Sequence, residues 1–465
     1  MSSPTSPTPQ AIDPQPAKIY SIGTLRYDQN ALYILFFWLM WNDFGITLIE
    51  RIGGLGGFLM LDRGATYTQM AMMGVPAALI FPWINPWVST WSDRHRGKWG
   101  RRRPFLLFAA PFFAFFLAAF PFMPDLFRYL MHYHWMVALS AHFPIRGDIL
   151  FMGICGQVSG IFNSVLLAIF LYLYWDVVPE AVLGRFQSLS KIVAMLAIMI
   201  WSFFIYGQGQ TGHHPKAVYV CTSIFALAIY MVSTWMIKEG DYPPPDVHKK
   251  GGKFAIIRAY FVECYSQPYY LWIFVASLLT QLGNQGGGYQ GYYLRYDLNM
   301  DLFTLGWIDG WVNTVTTIFG MACGFYIGAV TDRLKPMRLL FPIYLLTALA
   351  ALGAYFFVHD KWSSLYWSVG RNLILFATGI VIGAFTPEIF PREKLGQFCS
   401  AQAVFYQFIL AFLNPVIAMF FQHIHYNRFG FLWSAFFYFL CSLAYLKVYW
   451  NWKARHGHKL VPHAG

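Results

Sequence analysis

Charged residues are scarce in this chain. Asp, Glu, Lys and Arg together make up 12% of the 465 residues, whereas 57% are hydrophobic and 20% are aromatic. A soluble protein of this length would need far more polar surface to stay dispersed. The composition therefore excludes a soluble globular or disordered chain, and it indicates a protein embedded in a lipid bilayer.

Cysteine is also scarce, and its spacing excludes a cysteine-rich metal centre. The six cysteines contain no C-x-x-C pair. All but Cys264 lie in apolar segments, where a thiol behaves as a small buried hydrophobic group. We therefore expect no metal site, no disulfide framework and no cofactor.

The first 29 residues lack both a basic start and a short apolar core, so we expect no cleaved secretory signal there. These residues are polar and rich in Pro, Ser and Thr. We expect a disordered cytoplasmic tail over residues 1–29.

Apolar runs of roughly 20 residues are abundant, and each is long enough to cross a hydrocarbon core of about 30 Å as a helix. They predict an all-α membrane protein of twelve transmembrane helices, with both termini on one side. The predicted spans cover residues 30–52, 67–90, 104–123, 149–174, 187–206, 217–236, 269–293, 302–330, 337–357, 363–386, 398–421 and 429–450.

A basic, proline-containing segment divides the spans into two groups of six. We interpret residues 237–268 as a cytoplasmic linker between a first half, 30–236, and a second half, 269–450. Residues 451–465 are expected to form a second cytoplasmic tail. Segment 124–148 is too polar to cross a membrane, so an extracellular loop with an interfacial helix is expected there.

The placement of Lys and Arg predicts the orientation. If both termini are cytoplasmic, most of the 33 Lys and Arg residues lie in cytoplasmic loops and tails, as the positive-inside rule requires. The formal net charge of +12 then reflects topology rather than binding to nucleic acid. We expect a multi-pass protein of the plasma membrane.

Two pairs of loops carry related sequences, which indicates an internal repeat. Asp93-Arg94 and then Arg101–Arg103 follow the second span, and Asp332-Arg333 follows the eighth. A further set of residues recurs at one constant offset along the chain, as a duplicated six-helix unit with a cavity between its halves would require. The recurring pairs are Pro179/Pro391, Leu183/Leu395, Gly184/Gly396, Phe186/Phe398 and Ser188/Ser400.

These loops resemble those of the major facilitator superfamily, whose signature is GxxxDR followed by a basic cluster. The extended form here, SDR at 92–94 and GRRRP at 100–104, is similar to the glycoside-pentoside-hexuronide:cation symporters, including the melibiose carriers, and to the related plant sucrose carriers. Tyr292–Tyr296 resembles the YYFKY segment that ends their seventh span. The resemblance implies the major facilitator fold, with two pseudo-symmetric six-helix halves in a single working chain.

The resemblance also implies a cytoplasmic gate. Carboxylates in such loops pair with basic groups when the cytoplasmic side is closed, and these pairs break on inward opening. The alternative is that the loops only fix topology through positive charge. The gate candidates are Asp93, Arg94, Arg101, Arg102, Arg103, Asp332 and Arg333.

Ionisable residues inside spans are candidates for proton coupling, because they are costly there without water, a partner or a proton. Asp43 lies about 20 Å into the first span at 1.5 Å per residue, and it is either a coupling acid or a structural residue bonded to a neighbouring helix. Asp309 and Arg371 are predicted to form a buried pair, which either couples protons to opening or fixes packing. Glu50 and Arg51 are interpreted as an interfacial pair.

Sugar recognition needs hydrogen-bonding groups for hydroxyls beside flat apolar faces for the C–H side of the ring. Span seven combines amides with glycines, which favours either substrate contact or helix bending. Amides elsewhere either line a cavity or bond helix to helix. The substrate-binding candidates are Trp38, Asn42, Gln157, Asn163, Gln281, Asn284, Gln285, Trp311, Gln402 and Gln407.

The sequence thus predicts a proton-coupled symporter for a sugar or glycoside. The melibiose carriers bind sodium through acids in spans two and four, whereas these spans contain no acid before Asp93 and Asp176 here. An exporter or a carrier of a non-sugar solute is the alternative. An enzyme is not expected, because the adjacent histidines His213 and His214 have no acid close by.

Overall fold

The computed structural model describes residues 19–95, 97, 99–143, 145–179, 182–210, 213–240, 264–390 and 395–456. A two-stranded antiparallel hairpin, β1 Tyr20–Ile22 and β2 Leu25–Tyr27, precedes the first helix. Tyr20, Leu25 and Tyr27 pack against the core of the first half. Part of the tail predicted to be disordered is therefore ordered, because these apolar side chains are covered by the bundle.

Six long helices form the first half. A π-helical turn, Trp201–Ile205, and a 3-10 turn, Tyr206–Gly209, extend the fifth of them. Segment 124–148 contains two short helices, Met123–Leu130, which begins one residue before the segment, and His134–Ser140. The long helices are α1 Gln29–Asp62, α2 Tyr67–Arg94, α3 Arg103–Ala119, α4 Gly147–Val177, α5 Leu183–Ile200 and α6 Pro215–Met236.

Six further helices form the second half, and a π-helical turn, Tyr293–Asp297, extends the first of them. Asp301 and Asp360 begin two of these helices by accepting hydrogen bonds from backbone N–H groups of the first turn. The helices are α7 Pro268–Tyr292, α8 Leu302–Leu334, α9 Pro336–Phe357, α10 Lys361–Ile389, α11 Leu395–Ile424 and α12 Phe429–His456.

Ten of these helices in the described part of the chain are long and apolar enough to span a membrane. Of the remaining two, α2 contains the apolar stretch Tyr67–Phe81, and α7 contains the run of amides and glycines, which makes it more polar. The predicted all-α membrane fold of twelve helices in two groups of six is confirmed for the described residues.

The predicted helix starts agree with the observed ones to within about one helical turn. The largest error is at α1, which was expected to end at residue 52 and continues to Asp62. Glu50, Arg51 and the glycines that follow lower the local hydropathy, although helical hydrogen bonding is unbroken there. The tail predicted from residue 451 is also partly helical, since α12 continues to His456.

Glycines permit a close crossing of α7 and α12. A side chain at Gly286 would lie 2.5 Å from the carbonyl oxygen of Gly430, and one at Gly283 would overlap the ring of Tyr438. Ser434 Oγ donates a hydrogen bond of 2.8 Å to the carbonyl oxygen of Gly283. Small residues at a helix crossing bring backbones together where the membrane offers no hydrophobic driving force.

This crossing predicts a contrast between two adjacent glycines. Gly286→Ala should destabilise the protein by about 1–3 kcal/mol, because the new methyl group meets backbone that cannot rotate away. Gly287→Ala, whose added carbon has no neighbour within 4 Å, is the matched control and should not destabilise. Thermal unfolding of the purified variants in detergent measures both. Equal melting temperatures for the two variants would contradict this account of the crossing.

Candidate functional site

A cavity of about 620 Å³ lies between the two halves. Helix α1 and the turns after α5 line it from the first half, and α7, α8, α9, α10 and α12 line it from the second. Its walls combine ionisable side chains with amides and aromatic rings, which is typical of a site for a small polar molecule. The amides and rings are Gln290, Asn313, Asn372, Phe58, Trp201, Tyr206, Trp367 and Phe431.

Four ionisable side chains line this cavity: Glu50, Arg51, Asp309 and Arg371. Glu50 is exposed, and the other three are partly buried. Their formal charges cancel, which lowers the cost of holding charge inside a bilayer. Two acids and two bases therefore meet between the halves.

Asp309 joins one half to the other. Ser202, in the π-helical turn after α5, donates a hydrogen bond of 2.5 Å to Asp309 Oδ2. Bonds from a hydroxyl to a carboxylate are short and stronger than neutral ones. The Asp309 carboxylate therefore takes part in a contact between the halves.

Arg371 is held within the second half. Its Nη1 donates to Gln290 Oε1, and Gln290 Nε2 donates to Ser434 Oγ at 3.1 Å and to the carbonyl oxygen of Gly430 at 3.3 Å. The predicted direct ion pair between Asp309 and Arg371 is absent among the described contacts. The two residues line the same cavity, but each has a different hydrogen-bond partner.

Glu50 and Arg51 are the site residues that sequence reasoning missed. The structure places both in the cavity, and not in the interfacial pair expected of them, because the predicted first span ends too early. A signal was present: Glu50 follows Asp43 by seven residues, so the two acids lie on the same face of one helix.

Two smaller cavities contain further predicted substrate residues. The first, of about 280 Å³, lies within the first half and contains the predicted residues Gln157 and Asn163 together with Glu50. The second, of about 300 Å³, lies between α2, α7 and α11 and contains the predicted Gln285. Glu50 thus stands between the central cavity and the one inside the first half.

The other predicted substrate residues lie in helix contacts. Asn42 is only 1% exposed, so it is packed inside the first half and cannot reach a substrate without rearrangement. Trp38 packs against the same core. Trp311 contacts Phe203 with ring centroids 6.0 Å apart, across the two halves.

Amides of the second half follow the same pattern. Asn284 donates to Gln281 at 3.3 Å and accepts a hydrogen bond of 2.6 Å from Tyr438. Gln402 donates to Ser277, and Gln407 is partly buried on α11. The bonds from Tyr438 to Asn284 and from Gln402 to Ser277 connect helices, which matches the structural alternative for Asn284 and Gln402. The bond between Asn284 and Gln281 lies within α7.

Asp43 lies outside the central cavity. Ser190 on α5 donates a hydrogen bond to its carboxylate, and the Lys191 ammonium lies close enough to interact with it electrostatically. Asp43 therefore has the helix-to-helix serine contact of the structural alternative, with a cation nearby.

One end of the bundle, here called the closed end, is defined by residues 62–68, 293–302 and 422–430. The described contacts between the halves concentrate there and continue to mid-bundle. Tyr67 stacks on Tyr292 with ring centroids 5.2 Å apart. The hydrogen bonds are Tyr67 Oη to Asn427 Oδ1 at 2.8 Å, Thr68 Oγ1 to Gln422 Oε1 at 2.7 Å and Tyr296 Oη to Asp62 Oδ1 at 2.9 Å.

The predicted gate lies at the opposite end, and its described bonds stay within the first half. Arg101 and Arg102 contact Asp176 at 2.6 and 3.2 Å. The Glu239 carboxylate accepts the backbone N–H groups of residues 101–103 at 2.8–3.0 Å, which suits the positive end of α3. Arg103 Nε donates to the carbonyl oxygen of Thr234.

The second-half counterparts of the gate, Asp332 and Arg333, are exposed. The side chains of Asp93 and Arg94 lie outside the described part of the structure. The loop of the first half is thus held by its own helices, and its role in closing the gate stays a prediction.

A family model for the Major Facilitator Superfamily matches residues 58–413. The chain belongs to the major facilitator superfamily. It therefore has the fold of a transporter that binds small molecules within the membrane, as the resemblance in its loops implied. No curated protein sequence matches the chain.

Solved structures of transporters match nearly the whole chain at low identity. A mutant of the nucleoside transporter NupG has 9% identity and a TM-score of 0.65, over 89% of this chain and 99% of that one. A D-xylose-proton symporter has 14% identity and a TM-score of 0.60, and the match covers 90% of this chain and 97% of that one. A bacterial homologue of the iron transporter ferroportin in the inward-facing state has 12% identity and a TM-score of 0.62, and the match covers 90% of this chain and 98% of that one. These likenesses concern the fold alone.

The closed end predicts a measurable conformational equilibrium. Tyr67→Phe combined with Thr68→Val removes two hydrogen bonds between the halves, each contributing about 1 kcal/mol. The population with this end open should rise about tenfold or more. Spin labels at Ala138 and His423, one on each half, would report the change by electron-electron double resonance in a cysteine-free background.

The control is Tyr33→Phe combined with Thr347→Val, which removes the same groups from bonds within single helices. It should leave the distance distribution unchanged. An equal shift in both double variants would contradict the assignment of these contacts to the closed end.

Proposed function

We propose that the chain is a secondary transporter that imports a sugar or glycoside together with protons by alternating access. The central cavity carries this proposal, because two carboxylates, three amides and several aromatic rings line it. The positive-inside rule favours a cytoplasmic location for Arg101–Arg103, so the closed end faces outward. On this proposal the chain works as a monomer in the plasma membrane, has cytoplasmic termini and catalyses no reaction.

The polar groups of the cavity suit hydroxyl recognition. Asn313 and Asn372 offer amide groups, and Trp367 offers a flat face for the C–H side of a ring. Gly54 and Gly287 also line the cavity, and a side-chain carbon added at either would have no atom within 4 Å. Backbone walls of this kind leave room for a ligand to approach closely.

Asp309 is the favoured coupling acid. It lies in the cavity and bonds Ser202 across the halves, so binding a proton alters both the cavity and a contact between the halves. A group whose protonation differs between two conformations links proton binding to the conformational equilibrium. The hydrogen bond between Asp43 and Ser190 lies within the first half, so Asp43 is less favoured as the coupling acid.

The test is transport into proteoliposomes of labelled mono- and disaccharides, driven by an imposed proton gradient. Asp309→Asn should abolish accumulation but retain exchange of internal for external sugar without a gradient. The asparagine side chain can still accept a hydrogen bond from the Ser202 hydroxyl, but it does not take up a proton.

A matched control is Asp125→Asn. Asp125 forms a salt bridge of 2.5 Å with Lys216 and does not line the central cavity, so its amide variant should accumulate sugar as the wild type does. Accumulation by Asp309→Asn at the wild-type level would assign the coupling to another acid.

Carriage of a non-sugar solute, inward or outward, is the second candidate. Arg51 and Arg371 line the same cavity as several aromatic rings, and such a site also suits a nucleoside, the kind of solute named for the structural neighbour NupG. Adding labelled nucleosides to the panel separates the two candidates.

A further inference from the structure

A histidine and an arginine meet beside the closed end. Arg428 belongs to the short turn between α11 and α12, and His359 belongs to the connection between α9 and α10. Arg428 Nη2 donates a hydrogen bond of 3.2 Å to His359 Nδ1. A guanidinium group has donors only, so this bond requires that His359 Nδ1 carries no proton.

The Arg428 side chain attaches this turn to other helices of the second half. Its guanidinium carbon lies 5.1 Å from the ring centroid of Tyr355 and 5.9 Å from that of Tyr293, within the range of cation–π attraction. Arg428 Nη2 also donates to the carbonyl oxygen of Phe356 at 3.4 Å. Arg428 therefore holds the start of α12 against α9 and the end of α7.

The same turn makes a contact between the two halves. Asn427, the residue before Arg428, accepts the hydrogen bond of 2.8 Å from the Tyr67 hydroxyl of the first half. The Asn427 amide group donates to Asp297 at 3.0 Å, which orients it toward Tyr67. A displacement of Arg428 would therefore move a residue on which the closed end depends.

A carboxylate is also next to His359. The ring of His359 is close enough to Asp360 to interact with it electrostatically. Hydrogen bonds from Ser363 hold the pKa of Asp360 below its ordinary value, so this acid stays ionised in the range where a histidine takes up a proton. A protonated His359 is attracted by Asp360 and repelled by Arg428.

Other titratable side chains belong to these two connections or lie beneath Arg428. Tyr426 Oη accepts from Arg428 Nη1 at 3.5 Å, and the Lys361 ammonium lies 4.0 Å from the ring centroid of Trp307. A histidine changes charge between about pH 5 and 8, whereas tyrosine and lysine change only at higher pH. The set is Tyr293, Tyr355, Lys361, Tyr426 and His425, and His425 has no contact with His359 among the described ones.

We propose that His359 and Arg428 form a pH-sensitive latch for the closed end. An unprotonated His359 holds Arg428 and keeps this end shut, and a protonated His359 turns to Asp360 and releases Arg428. Acid on this side of the membrane then favours opening. With the orientation proposed above, the pH of the external medium sets this equilibrium.

The experiment measures the distance between spin labels at Ala138 and His423 by electron-electron double resonance, in the cysteine-free protein in nanodiscs without solute. Samples at about pH 8 and about pH 5.5 lie on either side of the value near 6.5 at which histidine ordinarily titrates. The population with the closed end open should rise about threefold in acid, the size expected for the loss of one exposed contact between polar groups.

Three substitutions separate the latch from other effects of pH. His359→Asn keeps an acceptor for Arg428 but takes up no proton, so it should show no rise in acid. His359→Lys is positively charged at both pH values and should be as open at about pH 8 as the wild type is at about pH 5.5. Arg428→Gln removes the cation and should open this end at both pH values equally.

The matched control is His425→Asn, which removes a histidine of the same turn. His425 has a left-handed backbone with φ 52°, a conformation that asparagine tolerates, and this variant should keep the wild-type rise in acid. A rise of the same size in His359→Asn would assign the pH response to other groups and overturn the latch. A wild type with one distance distribution at both pH values would overturn it as well.

The measurement contains no sugar and no proton gradient, so its outcome is independent of the proposed transport. Failure of sugar uptake would leave the latch in place, and failure of the latch would leave the proposed transport in place.

Discussion

An ionised side chain is stable inside a bilayer only where it meets water, a partner or an opposite charge. Four such side chains, Glu50, Arg51, Asp309 and Arg371, lie at depth in three helices of this chain. The fold satisfies them together by directing them to one cavity between its halves. The close crossing of α7 and α12, the open glycine walls and the contact from Ser202 to Asp309 all surround that cavity.

The two charged side chains that the second half contributes to the cavity, Arg371 and Asp309, are held in different ways. Arg371 is held by a chain of bonds through Gln290 to α12, so its position is fixed within the second half. Asp309 instead bonds the first half, and the state of its proton therefore bears on how the halves meet. One cavity thus contains a cation fixed within the second half and an acid that bridges the halves, and the proposed proton coupling would use that acid.

The sequence predicted the helices well, because spans in a bilayer must be long and apolar and few alternatives satisfy backbone hydrogen bonds there. The prediction was wrong at the end of α1, where charged residues and glycines lower the hydropathy. The predicted first span ends before Gly53, although the charged and glycine-rich end of α1 lines two cavities. Polar spans such as α7 were found through their length and the spacing of their neighbours.

Side-chain contacts were harder to predict than helices. Depth along a helix placed Asp309 and Arg371 together correctly, but not their partners, because Ser202 and Gln290 are common residues that carry no distinctive sequence signal. Asn42 and Asn163 look alike in sequence, yet one is packed inside the bundle and the other lines a cavity. That difference depends on helix rotation, which only the assembled structure defines.

The central claim, that a solute and protons cross together through this cavity, is tested most directly by following pH outside lightly buffered proteoliposomes when a transported sugar is added. The account predicts that the external medium becomes alkaline as sugar enters, in a fixed ratio of protons to sugar. Sugar entry with no change in external pH would contradict it.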